Sequence, residues 1–323
     1  MRILTLLCLL GVFALAAPPE GEPTTPAADG WTVEKPASDP QGEAFALKIA
    51  LEPGMAHKLD ATIVQELKTN MGPNSMAMGL TLWVRVLRKS EKGEADVEMP
   101  LKFNKLSVNG MDMLAMVAGM LNNPKLFARM DARGEVVPGT LKAEGMGQLA
   151  AQMEGQIASL FSYLPPNPVK VGEAWEIPVE ALAKSMGTIK GGKLEGKAYQ
   201  TLVAIEEKNG ARCARIKSIV AFTLSGDNLE MPGAGGAAKG TIHAKGEGVT
   251  FHGLDGYTRA TEMTMQMKME LNTMGMDLTI EGPAKITIVG GPEPFFTIAE
   301  KEGCGDKKEG CGGKEGCGCG DDE

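Results

Sequence analysis

The clearest pattern in the chain is a strict alternation of apolar and polar residues over several long segments. Apolar residues occupy every even position over 76–86 and every odd position over 263–271. Successive side chains of a β-strand point to opposite faces, so each segment predicts a strand with one apolar face and one polar face. One-sided strands of this kind are typical of antiparallel sheets.

Similar patterns predict further strands along most of the chain. Their expected ranges are 46–52, 58–68, 95–108, 125–133, 134–138, 198–206, 211–224, 240–251, 257–270 and 277–289. Asn209-Gly210 and Asp255-Gly256 predict hairpin turns, because Asn, Asp and Gly tolerate the positive φ angles that tight turns require.

A helical period is present in only a few places. Apolar residues recur at steps of three and four over 146–164, which predicts a helix that ends before Pro165 and Pro166. Shorter helices are expected over 112–121 and 178–186. The expected fold class is therefore α+β, predominantly antiparallel β, as a curved sheet or two repeated β-rich lobes with a few packing helices.

The amino terminus predicts export. Arg2 supplies a positive charge before a nearly unbroken apolar run, and Ala14 and Ala16 stand at the two positions that a signal peptidase inspects. Pro18 ends this run short of the roughly 20 apolar residues that a membrane span needs. We therefore expect residues 1–16 to be a cleaved signal peptide, no transmembrane anchor after cleavage, and a periplasmic or extracellular protein.

Composition separates three regions after the signal peptide. Residues 17–42 are rich in Ala, Pro, Gly and Thr without an apolar period, which predicts a disordered linker. Residues 43–290 form the expected β-rich domain. Turn motifs that recur after roughly 120 residues favour two related halves, 43–164 and 165–290. Residues 291–323 are expected to be a disordered Gly/Cys-rich tail.

The net charge argues against one class of partner. The chain carries 33 Lys and Arg against 41 Asp and Glu, a formal charge of −8 at pH 7. No basic stripe is visible in the sequence that would attract the phosphates of a nucleic acid or an anionic lipid surface. A nucleic-acid partner is therefore not expected.

The tail repeats the phrase Lys-Glu-Gly-Cys-Gly three times. Its thiols belong to Cys304, Cys311, Cys317 and Cys319, in polar, Gly-rich surroundings that cannot bury them. The spacing is not that of a structural zinc finger, although four thiolates would suit Zn or Cu(I). Disulfide formation after export and a tail without chemistry of its own are the other two interpretations.

The methionines form the second unusual feature, with 21 in 323 residues. Six of them define the apolar face of the alternating strands: Met76, Met78, Met263, Met265, Met267 and Met269. Met fills cores and also lines tolerant binding surfaces, so core packing and an apolar ligand cavity are both open. His57, His243 and His252 lie far apart in the sequence, and a metal site on this face is not expected.

The chain lacks the sequence motifs of common catalytic sites. It contains no G-x-S-x-G elbow, no H-E-x-x-H helix and no phosphate-binding G-x-x-x-x-G-K-[ST] loop. Cys213 lies within an expected strand, where a buried and unreactive thiol is the simplest interpretation. The sequence favours a non-catalytic protein and assigns no catalytic or cofactor-binding residue.

One stretch resembles a known group of proteins. Residues 164–175 read Leu-Pro-Pro-Asn-Pro-Val-Lys-Val-Gly-Glu-Ala-Trp, and they accompany Leu-Glu-Pro-Gly at 51–54 and an Asp-x-x-Gly hairpin at 131–134. Together they resemble an uncharacterised family of exported bacterial β-rich proteins, a domain of unknown function, over about 45–290. This resemblance implies export and a β-rich fold, and it implies no activity.

Two functions are consistent with these features. The first is an exported, non-catalytic binding or envelope-structural protein whose Met-rich β face holds an apolar ligand or an envelope protein. The alternative is a metal- or thiol-handling protein that acts through the carboxy-terminal tail, with Zn or Cu(I) as the candidate ions.

Overall fold

The computed structural model describes residues 30–70, 72–115, 124–131, 133–137, 139–144, 164–178, 191–230, 237–273 and 276–293. The regular structure of these residues consists almost entirely of β-strands. The strands are β1 Gln41–Phe45, β2 Ala56–Thr69, β3 Gly72–Lys89, β4 Ala95–Val108, β5 Met111–Asp112, β6 Lys125–Met130, β7 Lys142–Glu144, β8 Val169–Val171, β9 Ala174–Ile177, β10 Lys193–Lys208, β11 Ala211–Glu230, β12 Ala237–Gly253, β13 Thr258–Thr273 and β14 Met276–Glu293.

Twelve of the strands form a single antiparallel sheet. Its order is β7-β6-β4-β3-β2-β14-β13-β12-β11-β10-β9, with β5 paired to β4 at the side. Strand β2 pairs with β14 from Ala56 opposite Glu293 to Thr69 opposite Ile280. This pairing places strands from both predicted halves in one sheet, so the described strands form no two separate lobes. The duplication itself remains a prediction.

The long strands follow the sequence pattern closely. Strand β4 has the predicted bounds, and β2, β3, β10, β11, β12 and β14 extend past theirs by one to six residues at an end. Burial alternates along β3 and β13, because every second side chain points to the same face of the sheet. We call the buried side of the sheet the core face.

Tight turns connect several of the long strands. Asn209 and Gly210 both have positive φ, 51° and 73°, as predicted for the turn between β10 and β11. Asn109 and Gly110 make a similar turn after β4, with φ of 50° and 77°, which the sequence analysis did not identify. In the turn between β12 and β13, Gly256 has a positive φ of 89°.

The expected α+β class is wrong, because the described structure is nearly all β. Its helical residues are Leu114 and Ala115 alone. The predicted helix over 112–121 is wrong at its first residue, because Asp112 belongs to strand β5. Most of the predicted helix at 146–164 and the one at 178–186 lie outside the described residues. The described residues instead form long strands of up to 20 residues. Pairing between these strands satisfies their backbone hydrogen bonds.

The amino-terminal part of the described chain lies against the sheet. Residues 46–52 were expected to be a strand, but they are extended without strand pairing, and Leu47, Ile49 and Leu51 are buried. Within the predicted linker, Trp31 stacks on the imidazole ring of His243, with ring centres 5.3 Å apart.

Two predicted segments fall outside the description. These are the signal peptide at 1–16 and the predicted tail at 291–323, apart from residues 291–293, which belong to strand β14. Among the residues that are described, no helix has the length and apolar character needed to cross a membrane.

Candidate apolar binding face

The core face collects methionines from several strands. The six predicted methionines are all buried there, and each is at most 6% exposed. Met99 on β4 and Met130 on β6 lie on the same face and are also fully buried. The alternation therefore predicted which methionines are buried, and a ligand on this face stays a prediction.

Small residues of strand β12 lie directly opposite the methionines of β13. Ala244 pairs with Met267, Gly246 with Met265, and Gly248 with Met263. A Cβ atom added at Gly246 would be 2.7 Å from Met265 Cγ and 3.3 Å from Met263 Cε. The two Met side chains therefore occupy the space above the glycine. We call the three residue pairs, Ala244 with Met267, Gly246 with Met265 and Gly248 with Met263, the Met–Gly trough.

The trough is filled by side chains that rearrange easily. Met has an unbranched side chain with three rotatable bonds and a polarizable sulfur, so it adapts to differently shaped neighbours. Branched residues such as Val and Ile hold one rotamer more strongly. A surface of this composition can repack around a bound apolar molecule at low energetic cost.

One polar side chain interrupts the apolar row on strand β2. Gln65 lies between Ala284 and Met76 in register and is 1% exposed. Neither Nε2 nor Oε1 of Gln65 has a hydrogen-bond partner among the described residues. An unsatisfied buried amide lowers the stability of the fold by roughly 1–3 kcal/mol. Gln65 would therefore be unfavourable if the core face served packing alone.

The sequence contained a signal for Gln65 that the analysis did not use. Leu59, Ile63 and Leu67 hold the odd positions of the predicted strand over 58–68, and Gln65 breaks that row. A polar residue at the parity of an apolar face either finds a buried partner or marks a functional position.

Two histidines that are distant in the sequence meet at one end of the core face. His57 on β2 donates from Nε2 to the carbonyl oxygen of Thr258 at 3.3 Å. His252 on β12 donates from Nε2 to the carbonyl oxygen of Lys48 at 2.8 Å. Burial lowers the pKa of each imidazole to about 4, so both rings are neutral at pH 7.

Arg259 completes this cluster. It is the extra residue of a β-bulge in β13, where the pairing with β12 shifts register. Its guanidinium forms an ion pair with Asp255 and lies 5.6 Å from the centre of the Tyr257 ring. His57 meets the same ring edge-on, with ring centres 5.2 Å apart. We call His57, His252, Asp255, Tyr257 and Arg259 the polar clasp.

The polar clasp attaches the amino-terminal segment to the sheet. Besides the bond from His252 to Lys48, the amide of Ala50 donates to the carbonyl oxygen of Gly256 at 3.0 Å. Cys213 near the clasp is a free, buried thiol, and burial raises its pKa. A neutral thiol is a weak nucleophile, which agrees with the unreactive role expected from the sequence.

The described part of the chain contains no group of three or more His, Cys, Asp or Glu side chains that could hold a metal ion. The predicted metal or disulfide residues Cys304, Cys311, Cys317 and Cys319 lie outside that part. Their chemistry therefore stays a prediction.

Comparisons with known proteins identify no family. No protein-family model matches the chain, and no curated protein has a significantly similar sequence. Solved structures give distant similarities. A structure of lipovitellin, solved to describe its lipid–protein interactions, is 12% identical to this chain with a TM-score of 0.41. The alignment covers 77% of this chain and 26% of the lipovitellin chain.

Two further structures resemble the chain at lower scores. A protein of YmcC-like fold from Bacteroides fragilis is 12% identical with a TM-score of 0.23, covering 74% of this chain and 97% of that one. DynF from the dynemicin biosynthesis pathway of Micromonospora chersina is 9% identical with a TM-score of 0.22, covering 85% and 94%. Similarities at this level support no conclusion about function.

Proposed function

We propose that this protein is an exported, non-catalytic binding protein that holds an apolar molecule with a long hydrocarbon chain on the core face of its sheet. The observation that supports the proposal is the Met–Gly trough. There, Gly246 leaves space on β12, and Met263 and Met265 of the neighbouring strand fill it. Export is inferred from the signal-peptide pattern at residues 1–16.

A purely structural core would be expected to look different. Glycine in a strand interior weakens the strand and contributes no packing, and a buried methionine loses much rotamer freedom. Branched side chains on β12 would fill the same space with better-defined packing. The trough combines glycines and methionines at neighbouring positions although both lower the stability of a core. This combination favours a surface whose side chains rearrange when a ligand binds.

The core face is also suited to a long ligand. Strands β3, β11, β12, β13 and β14 are 16–20 residues long, and a strand rises about 3.3 Å per residue. Between Met263 and Leu271, one dry row of β13 therefore extends over roughly 26 Å. This length accommodates a fully extended acyl chain of ordinary size.

The direct test is to identify what the protein carries. The mature protein should be purified without detergent from the envelope of its own host, extracted with organic solvent and analysed by mass spectrometry. We expect a stoichiometric hydrocarbon-chain molecule. We also expect the emptied protein to bind the neutral fluorescent probe N-phenyl-1-naphthylamine. Finding no co-purified molecule and no probe binding would refute the proposal.

A pair of double variants tests whether the trough is the site. Met263→Ile with Met265→Ile keeps the side chains apolar but stiffens them, and we expect at least a tenfold loss of probe affinity. The matched control is Thr264→Ile with Gln266→Ile on the opposite face of β13, which should bind like the wild type. Thermal melting of both variants checks that they fold.

A further inference from the structure

We infer that the ligand is an uncharged lipid bearing a hydroxyl group, and that the side-chain amide of Gln65 binds this hydroxyl. This inference rests on the proposed function, and it identifies the chemical class of the ligand and the residue that selects it.

Gln65 lies in the same transverse row of the sheet as the trough. Along this row, Gln65 pairs with Ala284, Ala284 with Met265, and Met265 with Gly246. Neighbouring strands are about 4.8 Å apart, so the backbones of Gln65 and Met265 are roughly 10 Å apart. The one residue between them, Ala284, has a single methyl group. A Gln side chain can therefore extend over Ala284 toward a molecule in the trough.

The side-chain amide of Gln65 can both donate and accept a hydrogen bond at a position shielded from water. Gln65 is 1% exposed, and no described residue accepts from its Nε2 or donates to its Oε1. Buried polar groups in native proteins nearly always have partners. A hydroxyl group is the smallest ligand group that can accept from Nε2 and donate to Oε1 in turn.

The surroundings of Gln65 exclude a charged ligand group. The described core-face residues of β2, β14 and β13 near Gln65 are apolar or small, including Ile63, Leu67, Ala284 and Met265. Among the described core-face residues of β2, β14 and β13, the nearest groups that could carry a charge belong to the polar clasp. His57 of that clasp is eight residues away along β2, roughly 26 Å.

The clasp cannot serve a charged headgroup for a second reason. Arg259 already pairs with Asp255, and His57 is neutral at pH 7 because burial lowers its pKa to about 4. A carboxylate or phosphate beside Gln65 would be buried without compensation, which is strongly unfavourable. A neutral hydroxyl meets no such penalty.

The test compares three probes of equal chain length: 1-tetradecanol, methyl myristate and ionised myristate. Each displaces N-phenyl-1-naphthylamine from the emptied, full-length mature protein at pH 8. We expect the alcohol to bind about fivefold or more tightly than the methyl ester, the size of one net hydrogen bond. The ionised acid should be the weakest of the three.

The variant Gln65→Met separates the hydrogen bond from packing, because Met has nearly the same shape as Gln. We expect it to bind the alcohol and the ester equally, to keep the affinity for the ester, and to melt no lower than the wild type. Gln266→Met, on the outer face of β13, is the matched control and should keep the wild-type preference for the alcohol.

Each outcome has a distinct meaning. If Gln65→Met keeps the preference for the alcohol, as it would if a buried water satisfied the amide in the wild type, the inference is wrong. A wild-type preference for ionised myristate also refutes it. If none of the three probes displaces the dye and the dye itself does not bind, the proposed function has failed instead.

Discussion

His252 donates a hydrogen bond to the carbonyl oxygen of Lys48 over 2.8 Å, although the two residues are 204 positions apart in the chain. This bond attaches the extended segment that carries Leu47, Ile49 and Leu51 to one end of the core face. His252 is 0% exposed, so its Nε2–H needs a protein acceptor, and the carbonyl oxygen of Lys48 supplies it. The amino-terminal segment is therefore part of the folded domain.

Replacing His252 by Leu should release this segment. The bond from the buried imidazole to the carbonyl oxygen of Lys48 would be lost, and we expect the free energy of unfolding to fall by about 2 kcal/mol or more. Urea denaturation measures this loss. Hydrogen exchange should also show a less protected amide at Ala50, which donates to Gly256.

The control for that variant is His243→Leu on the opposite face of the same strand. His243 is partly exposed, so its loss should cost about 1 kcal/mol or less and leave Ala50 protected. Equal destabilisation by the two variants, with Ala50 protected in both, would show that the bond to Lys48 is unimportant.

Gly256 should be intolerant of any side chain. Its φ is 89°, and an added Cβ would lie 2.5 Å from the backbone nitrogen of Ala50. We expect Gly256→Ala to lower the free energy of unfolding by about 3 kcal/mol or more, since strain and collision add. Gly210→Ala is the matched control, because Gly210 has a φ of 73° and open space around its Cβ position. That variant should cost only about 1 kcal/mol. Similar urea midpoints for the two variants would contradict the close packing of Ala50 on Gly256.

The two buried histidines should make the protein sensitive to mild acid. In the folded state the pKa of His57 and of His252 is lowered from 6.5 to about 4 by burial. Between these values the unfolded chain binds more protons than the folded protein, so the free energy of unfolding falls as the pH is lowered. The loss should be roughly 2 kcal/mol for each histidine between pH 7 and pH 5.

Urea denaturation at pH 7, 6 and 5 measures this dependence. A variant with Gln at both histidine positions should be less stable at pH 7 but should show a flatter profile, because Gln does not titrate. A wild-type profile that is already flat over this range would mean that the imidazoles are not desolvated as the structure indicates.

Methionine oxidation should distinguish the core face from the surface. Met111 and Met276 are 63% and 65% exposed, whereas the core-face methionines are at most 6% exposed. In dilute hydrogen peroxide we expect Met111 and Met276 to form sulfoxides at least about tenfold faster than Met263 and Met265. Peptide mass spectrometry measures the rates, and the difference should disappear in urea. Equal rates in the folded protein would show that the trough is open to solvent.

The tail cysteines offer a separate prediction. Under reducing conditions, the full-length protein should bind Zn or Cu(I) with micromolar or tighter affinity through Cys304, Cys311, Cys317 and Cys319. A version with Ser at these four positions is the control, since it keeps the length and charge of the tail. Equal metal content of the two proteins after equilibrium dialysis would rule out a metal role for the tail.

Much of the sheet was predictable from the sequence, as particular elements show. Strand β4 has the expected bounds, and the face that carries Met263, Met265, Met267 and Met269 is the buried one. Both results follow from local alternation, because successive side chains of a strand must point to opposite faces. The prediction of helices rested on less evidence than the prediction of strands. An apolar period of three to four residues shows which face a helix would bury, but it does not establish that a helix forms.

The surroundings of Gln65 and the polar clasp were not predictable in this way. The sequence shows that Gln65 breaks an apolar row, but only the pairing with β14 and β3 places it between Ala284 and Met76. His57 reaches Thr258 across 201 positions. Alternation along the chain determined which side chains lie on the dry face of the sheet. Only the tertiary structure decided which strands became neighbours, because strand pairing depends on contacts between distant segments that no local pattern contains.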